Sequence, residues 1–133
     1  MNMDIRVVVP ESMRPEVDGA DWFWDDVGDL KVRICPMSDW RYEAMLGIHE
    51  QVEAVICKHT GVTQHSVDVF DHQYDQTHDN DCEAGDDPSA PYKREHCFAT
   101  VVERMLCGVL GVDWKSYSDE LVARYPGPRH KKP

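Results

Sequence analysis

The chain has no C-x-x-C pair, although it carries five cysteines, Cys35, Cys57, Cys82, Cys97 and Cys107. That leaves no basis for a sulfur-rich structural zinc site, and an odd count of scattered thiols fits free cysteines packed in a reducing compartment. Uninterrupted apolar runs of about eighteen residues are also missing, so no segment is expected to span a membrane. Met1 to Pro10 has no basic start followed by a long apolar stretch, so no signal peptide is expected and the chain reads as cytoplasmic. Basic charge is scarce too. The 25 acidic side chains outnumber the 14 basic ones, for a formal charge of −11. Such a surface repels phosphate backbones and anionic lipid, so neither nucleic acid nor membrane is expected as a partner. It suits a cation, a small ligand or a basic protein.

What is present is enough for a core. With 133 residues, 41% apolar and 29% charged, the chain fits one folded domain over residues 1–125, followed by a flexible tail at 126–133. Ile5, Val7 and Val9 alternate with Arg6 and Val8, and Leu30, Val32 and Ile34 alternate with Lys31 and Arg33. Both patterns predict short strands that pair with each other. Glu11 to Gly28, between them, reads as turn-rich with an aromatic knot at Trp22, Phe23 and Trp24. Ser38 or Asp39 can cap a helix from about Trp40 to His59 that Gly61 stops, and Thr63 can cap a second through about Tyr74. Pro91 suits the first turn of a third helix from Tyr92 to Leu110, and Asp113 can cap a last one, Trp114 to Arg124. The expected fold class is α+β: a short N-terminal β-hairpin packed on three to four helices, the two long ones forming the core.

The placement of polar residues on those two helices carries the functional signal. At about 100° per residue, Tyr42, Met45, Leu46, Val52, Glu53 and Ile56 all fall within about 60° of His49. Gly47, Gln51 and Lys58 fall on the far side. On the third helix Tyr92, Ala99, Glu103, Cys107 and Leu110 share a face with His96. Phe98, Val101, Val102, Met105 and Val109 form a second apolar stripe opposite, which predicts a helix sandwiched between other elements. A buried carboxylate costs several kcal/mol unless it is paired or binds a metal. Packed together, the helices can bring His49, Glu53 and His96 around one divalent metal, with Asp71 or Glu103 as a fourth oxygen ligand. Two imidazoles and a carboxylate suit zinc first, and iron or manganese as well. The alternative, a structural network in which the same His and Glu satisfy each other, stays open.

Other residues allow two readings each. The acidic stretch Asp71 to Asp87 has seven carboxylates and no Lys or Arg, and reads as a solvated loop or a lid. Tyr92 can pack in the core or donate to an oxyanion beside the metal. Cys57 and Cys97 are buried thiols or nucleophiles. The Trp22 to Trp24 knot closes the sheet, lines a pocket or joins an interface.

The string His49-Glu50-Gln51-Val52-Glu53 resembles the HExxH helix of zinc-dependent metallopeptidases. The resemblance implies His49 as a ligand and Glu50 as the general base; Glu53 stands where that family has its second histidine. A broader resemblance links His49-Glu50 to Cys57, Val67 to Asp71, Gly85 to Tyr92, His96 to Glu103 and Leu110-Gly111-Val112-Asp113-Trp114 to short uncharacterised bacteriophage and prophage proteins. It implies a phage origin, a host-cytoplasm location and a role during infection, including interference with host defence.

Two functions follow. The first is a divalent-metal-dependent hydrolase acting on a small-molecule or peptide substrate, with His49, Glu53 and His96 as ligands. The alternative is a non-enzymatic binding or inhibitor protein that turns its acidic surface to a host protein and keeps the His/Glu cluster as scaffold.

Overall fold

The structure, a computed structural model, describes residues 1–12, 19–78 and 83–126. Three strands, β1 (Met3–Val7), β2 (Ala20–Trp24) and β3 (Leu30–Ile34), precede the helices α1 (Trp40–Thr60), α2 (Gln64–Thr77), α3 (Lys93–Val109) and α4 (Trp114–Arg124). Single 3-10 turns occupy Pro10–Ser12 and Ala84–Asp86. The class is α+β, as the sequence implied.

The sheet differs from the expected hairpin in strand direction and in strand number. β1 and β3 do pair, but in parallel, with Ile5 opposite Val32. The hairpin is made by β2 and β3, with Trp22 opposite Val32, and β3 lies in the centre. β2 comes from the stretch that read as turn-rich. Its period-two pattern is there, Ala20, Trp22 and Trp24 against Asp21 and Phe23, but it is carried by aromatics amid glycines and acids rather than by β-branched residues. The loop to β3 closes where the Asp25 amide donates to the Asp29 carbonyl at 2.9 Å, with Gly28 at φ 84°. On the outer face, Arg33 pairs with Asp21 directly across from it at 2.5 Å.

Leu30, Val32 and Ile34 are all buried, and α1 lies on them. Gly47 makes the close approach: a Cβ there would meet Ile34 Cδ1 at 2.9 Å. The side of α1 that the sequence assigned to the far, polar face is thus its contact with the sheet. Another side of α1 meets α3, where His49 faces Glu103 and Glu53 faces His96.

The caps fall where the sequence placed them. Asp39 accepts from the Arg41 amide at 2.9 Å, Thr63 from Ser66 at 3.2 Å and Asp113 from Ser116 at 2.9 Å. Gly61 takes φ 81° after α1. α3 begins at Lys93, so Pro91 precedes the cap residue Tyr92 rather than entering the first turn, and α2 continues past Tyr74 to Thr77.

The second apolar stripe of α3 is not sandwiched. Phe98, Val101, Met105 and Val109 are 56%, 54%, 67% and 84% exposed. The tail expected at 126–133 lies outside the described residues from 127 onward, as do Cys82 and the centre of the acidic loop. Before it, Tyr125 donates its hydroxyl to the Pro36 carbonyl at 2.5 Å, which ties the end of α4 to the segment after β3. Among the described residues no helix is long and apolar enough to cross a membrane.

Candidate metal centre

α1 contributes His49, Glu50 and Glu53 to one place, and α3 contributes His96 and Glu103. His49, Glu53, His96 and Glu103 are all buried. Glu53 lies at the middle. Its Oε2 is 3.2 Å from His49 Nε2 and 3.0 Å from His96 Nδ1, while its Oε1 accepts from the Trp22 indole N–H at 3.0 Å. The two imidazole rings meet edge to face with centroids 4.9 Å apart. One ligand atom from each of His49, Glu53 and His96 falls within 4.8 Å of the others.

The outer nitrogens of both rings also face carboxylates. His49 Nδ1 is 2.8 Å from Glu103 Oε1, and the buried Tyr117 hydroxyl donates to Glu103 Oε2. His96 Nε2 is 3.2 Å from Glu83 and 3.3 Å from Asp86, both exposed. The turn that carries them rests on the His96 ring at Gly85, where a Cβ would be 2.5 Å from His96 Cγ. Only a residue without a side chain lets the backbone come that close.

A carboxylate accepts and does not donate when ionised, so a ring flanked by carboxylates on both nitrogens must be protonated on both. The electrostatics agree. Burial is the largest single influence on either ring and favours the neutral form. Glu103 and Glu53 overcome it at His49, and Asp86, Glu53 and Glu83 overcome it at His96, so both imidazoles titrate well above their usual value. Burial pushes Glu53 up as well, but the hydrogen bonds from His49 and His96 hold it far below the usual carboxylate range.

Glu50 is different. It is partly buried, and among the described residues it makes no hydrogen bond or ion pair. Burial first, and then the neighbouring Glu53, push its carboxyl up to about 8. A carboxyl that exchanges its proton near neutrality is suited to general acid–base work.

Two expected site residues are placed elsewhere. Asp71 accepts from the Tyr92 hydroxyl and does not join the group of converging ligand atoms, and burial raises its carboxyl to about 7 despite that bond. Tyr92, committed to Asp71, packs its ring 6.0 Å from His96 as a wall. Glu103 stands behind His49 rather than beside Glu53, because its helix position delivers it to Nδ1. Cys57 is fully buried, and burial followed by Glu53 and Glu95 pushes its thiol to about 12, so it carries no nucleophilic thiolate.

Sequence reading missed Tyr117, Glu83 and Asp86, and it left Trp22 between sheet, pocket and interface without linking it to Glu53. For Trp22 the signal was available, an aromatic on the core face of an alternating segment. For Tyr117 and the two carboxylates it was not, because their roles depend on where α4 and the Ala84–Asp86 turn come to rest.

The cluster lies at the bottom of a cavity of about 710 Å³, walled by α2 and the end of α4. No family model, curated protein or solved structure matches the chain. The resemblances drawn from its motifs therefore stand on those residues alone.

Proposed function

We propose that the chain binds one divalent cation through His49 Nε2, His96 Nδ1 and Glu53 Oε2 and uses it for hydrolysis. The observation that supports this most is the shared Glu53 oxygen between two imidazoles whose far nitrogens are each fixed by carboxylates. The 3.2 and 3.0 Å separations are close to the edge of a tetrahedron with bonds of about 2.0–2.1 Å, which is about 3.3 Å. Carboxylates behind ligating histidines fix the tautomer and strengthen the donor. Zinc fits best, with iron or manganese compatible with the same donors. Two protons, one from each inner nitrogen, leave as a divalent ion arrives, so the buried cluster keeps its net charge through the exchange.

A cation held there lowers the pKa of a water towards about 7. Glu50 takes that water's proton as its oxygen attacks an acyl or phosphoryl centre, and returns the proton to the leaving group. The ion loaded into Glu50→Gln is expected to stay stoichiometric, while turnover of activated ester and amide substrates falls by about a hundredfold or more. An unchanged rate in a fully loaded variant removes Glu50 from the mechanism.

A second reading is favoured by one observation, the exposed apolar stripe of α3. Here the chain is a binding or inhibitor protein, phage-encoded and directed at a host protein, and the protonated His/Glu network is its scaffold. Such a protein takes up no stoichiometric metal.

A further inference from the structure

We propose that β1 is an interface whose partner is a second copy of this chain: two β1 strands pair antiparallel about a two-fold axis at Ile5 and join their sheets edge to edge. This goes beyond the reading of the His/Glu cluster and does not rest on it. No residue of β1 lines the cavity above that cluster, so the pairing leaves each cavity open.

The sheet runs β1-β3-β2, so β1 has a strand neighbour on one side only. Successive residues of a strand send their N–H and C=O groups to opposite edges. The Asn2 carbonyl accepts from the Leu30 amide at 2.9 Å and the Val8 amide donates to the Ile34 carbonyl at 2.8 Å, so in the parallel register the even-numbered residues face β3. Met3, Ile5 and Val7 therefore turn their backbone groups outward, and among the described residues none of those groups has a partner. Their side chains share the face that α1 covers: Gln51 Nε2 donates to Met3 Sδ at 3.2 Å, and Gly47 lies against Ile5. All three nevertheless remain exposed, because nothing described lies beyond β1. An apolar strand with an open edge is a template for another strand.

Charge complementarity selects the second copy. Met3-Asp4-Ile5-Arg6-Val7 reads apolar, acid, apolar, base, apolar, so reversing it exchanges the two charges and keeps the apolar positions. Turned antiparallel about Ile5, Ile5 meets its own copy and Met3 meets Val7, and each such pair exchanges two hydrogen bonds between the outward groups. The same register sets Asp4 directly opposite Arg6 on both sides of the axis. Opposite charges across a strand pair favour it, and like charges oppose it. A slip of two residues either way faces Arg6 with its copy or Asp4 with its copy, which fixes the register. Arg6 can take the second carboxylate: its Nε serves Asp4 of its own strand at 2.9 Å, and its neighbour in β3 is another base, Arg33, itself held by Asp21. Above the sheet, Gly47 sets α1 between Ile34 and Ile5. With strands about 4.8 Å apart, the two α1 helices then run about 10 Å from each other, the spacing of packed helices.

The test uses the full chain. Sedimentation velocity over about 5–500 µM measures the balance of monomer and dimer, and amide hydrogen exchange reads the edge. A dimer is expected within that range. The Met3, Ile5 and Val7 amides should exchange more slowly as concentration rises, while the Asp4 and Arg6 amides, which face β3, should not change. Asp4→Arg and Arg6→Asp each set like charges opposite themselves and should weaken self-association about tenfold or more; mixed in equal amounts they restore both charge pairs, and a heterodimer should form. Ile5→Pro removes an outward donor, leaves the bonds to β3 in place and should give a monomer. A wild-type chain that stays monomeric throughout overturns the proposal, as does a dimer that the charge variants leave unchanged or a mixture of the two that stays monomeric. Exchange at Ile5 that ignores concentration overturns it as well. So does a dimer abolished by Phe98→Ser with Met105→Ser but kept by the β1 variants, which would assign the contact to the α3 stripe.

Discussion

The two faces of α3 invert the usual arrangement. Its inward face carries His96 and Glu103, buried against α1, while Phe98, Val101, Met105 and Val109 point to solvent. Hydropathy alone would have placed them the other way round. The inward residues tolerate burial because each finds a partner: Glu103 has His49 and Tyr117, and His96 has Glu53, Glu83 and Asp86. A polar group in the interior is held by its partners, and an apolar one at the surface costs little. A buried, partnered polar face thus stands against an exposed apolar one, and the contrast can be broken from either side.

The largest effect should come from Glu53→Ala. It leaves both imidazoles and the Trp22 indole without their common acceptor. Removing one partner of a buried charged pair costs about 3–5 kcal/mol. Denaturant unfolding is expected to show a loss of that size, together with loss of metal uptake, and a loss below about 1 kcal/mol would mean the inner face is not held by Glu53. Next comes Gly85→Ala. The added methyl group overlaps the His96 ring and pushes the Ala84–Asp86 turn outward, at a cost of about 1–3 kcal/mol in thermal unfolding. Because Glu83 and Asp86 then leave His96 Nε2, metal affinity should fall about tenfold or more as well. The smallest effect belongs to the outer face. Phe98→Ser with Met105→Ser should change stability by no more than about 0.5 kcal/mol per site, since neither side chain is covered. A loss of several kcal/mol there would mean that something buries the stripe in solution.

Much of this was legible in the residues. The caps Asp39, Thr63 and Asp113, the stop at Gly61 and the presence and order of the four helices follow from local chemistry, although α2 runs on to Thr77 and α3 starts at Lys93. The convergence of His49, Glu53 and His96 was legible as well, because helical spacing put each of them on a face that packing could bring inward. What was not legible depends on relations between elements. The parallel pairing of β1 with β3 is set by β2 entering beside β3, and β2 was masked by its aromatic, glycine-flanked composition. Gly47 read as polar-side filler because a helix wheel cannot show that a sheet covers that side. The choice between two apolar stripes on α3 was decided by partners contributed from α1, α4 and the Ala84–Asp86 turn, none of which spacing within α3 can reveal.

The central claim is that the protons on His49 Nε2 and His96 Nδ1 stand where a divalent ion belongs. Protonated imidazoles held by carboxylates stabilise the ion-free fold below their unfolded value of about 6.5, and that contribution is lost as the pH rises through their raised folded values. Metal uptake must displace those protons, so affinity should increase with pH. Calorimetric titration of zinc into the purified protein at pH about 6 and about 8, in buffers of different ionisation enthalpy, measures stoichiometry and proton release together. The account predicts one ion per chain, tighter binding at the higher pH, protons released on binding, and no uptake by His49→Ala with His96→Ala. Binding weaker than millimolar at both pH values, or uptake unchanged in the double variant, would contradict it.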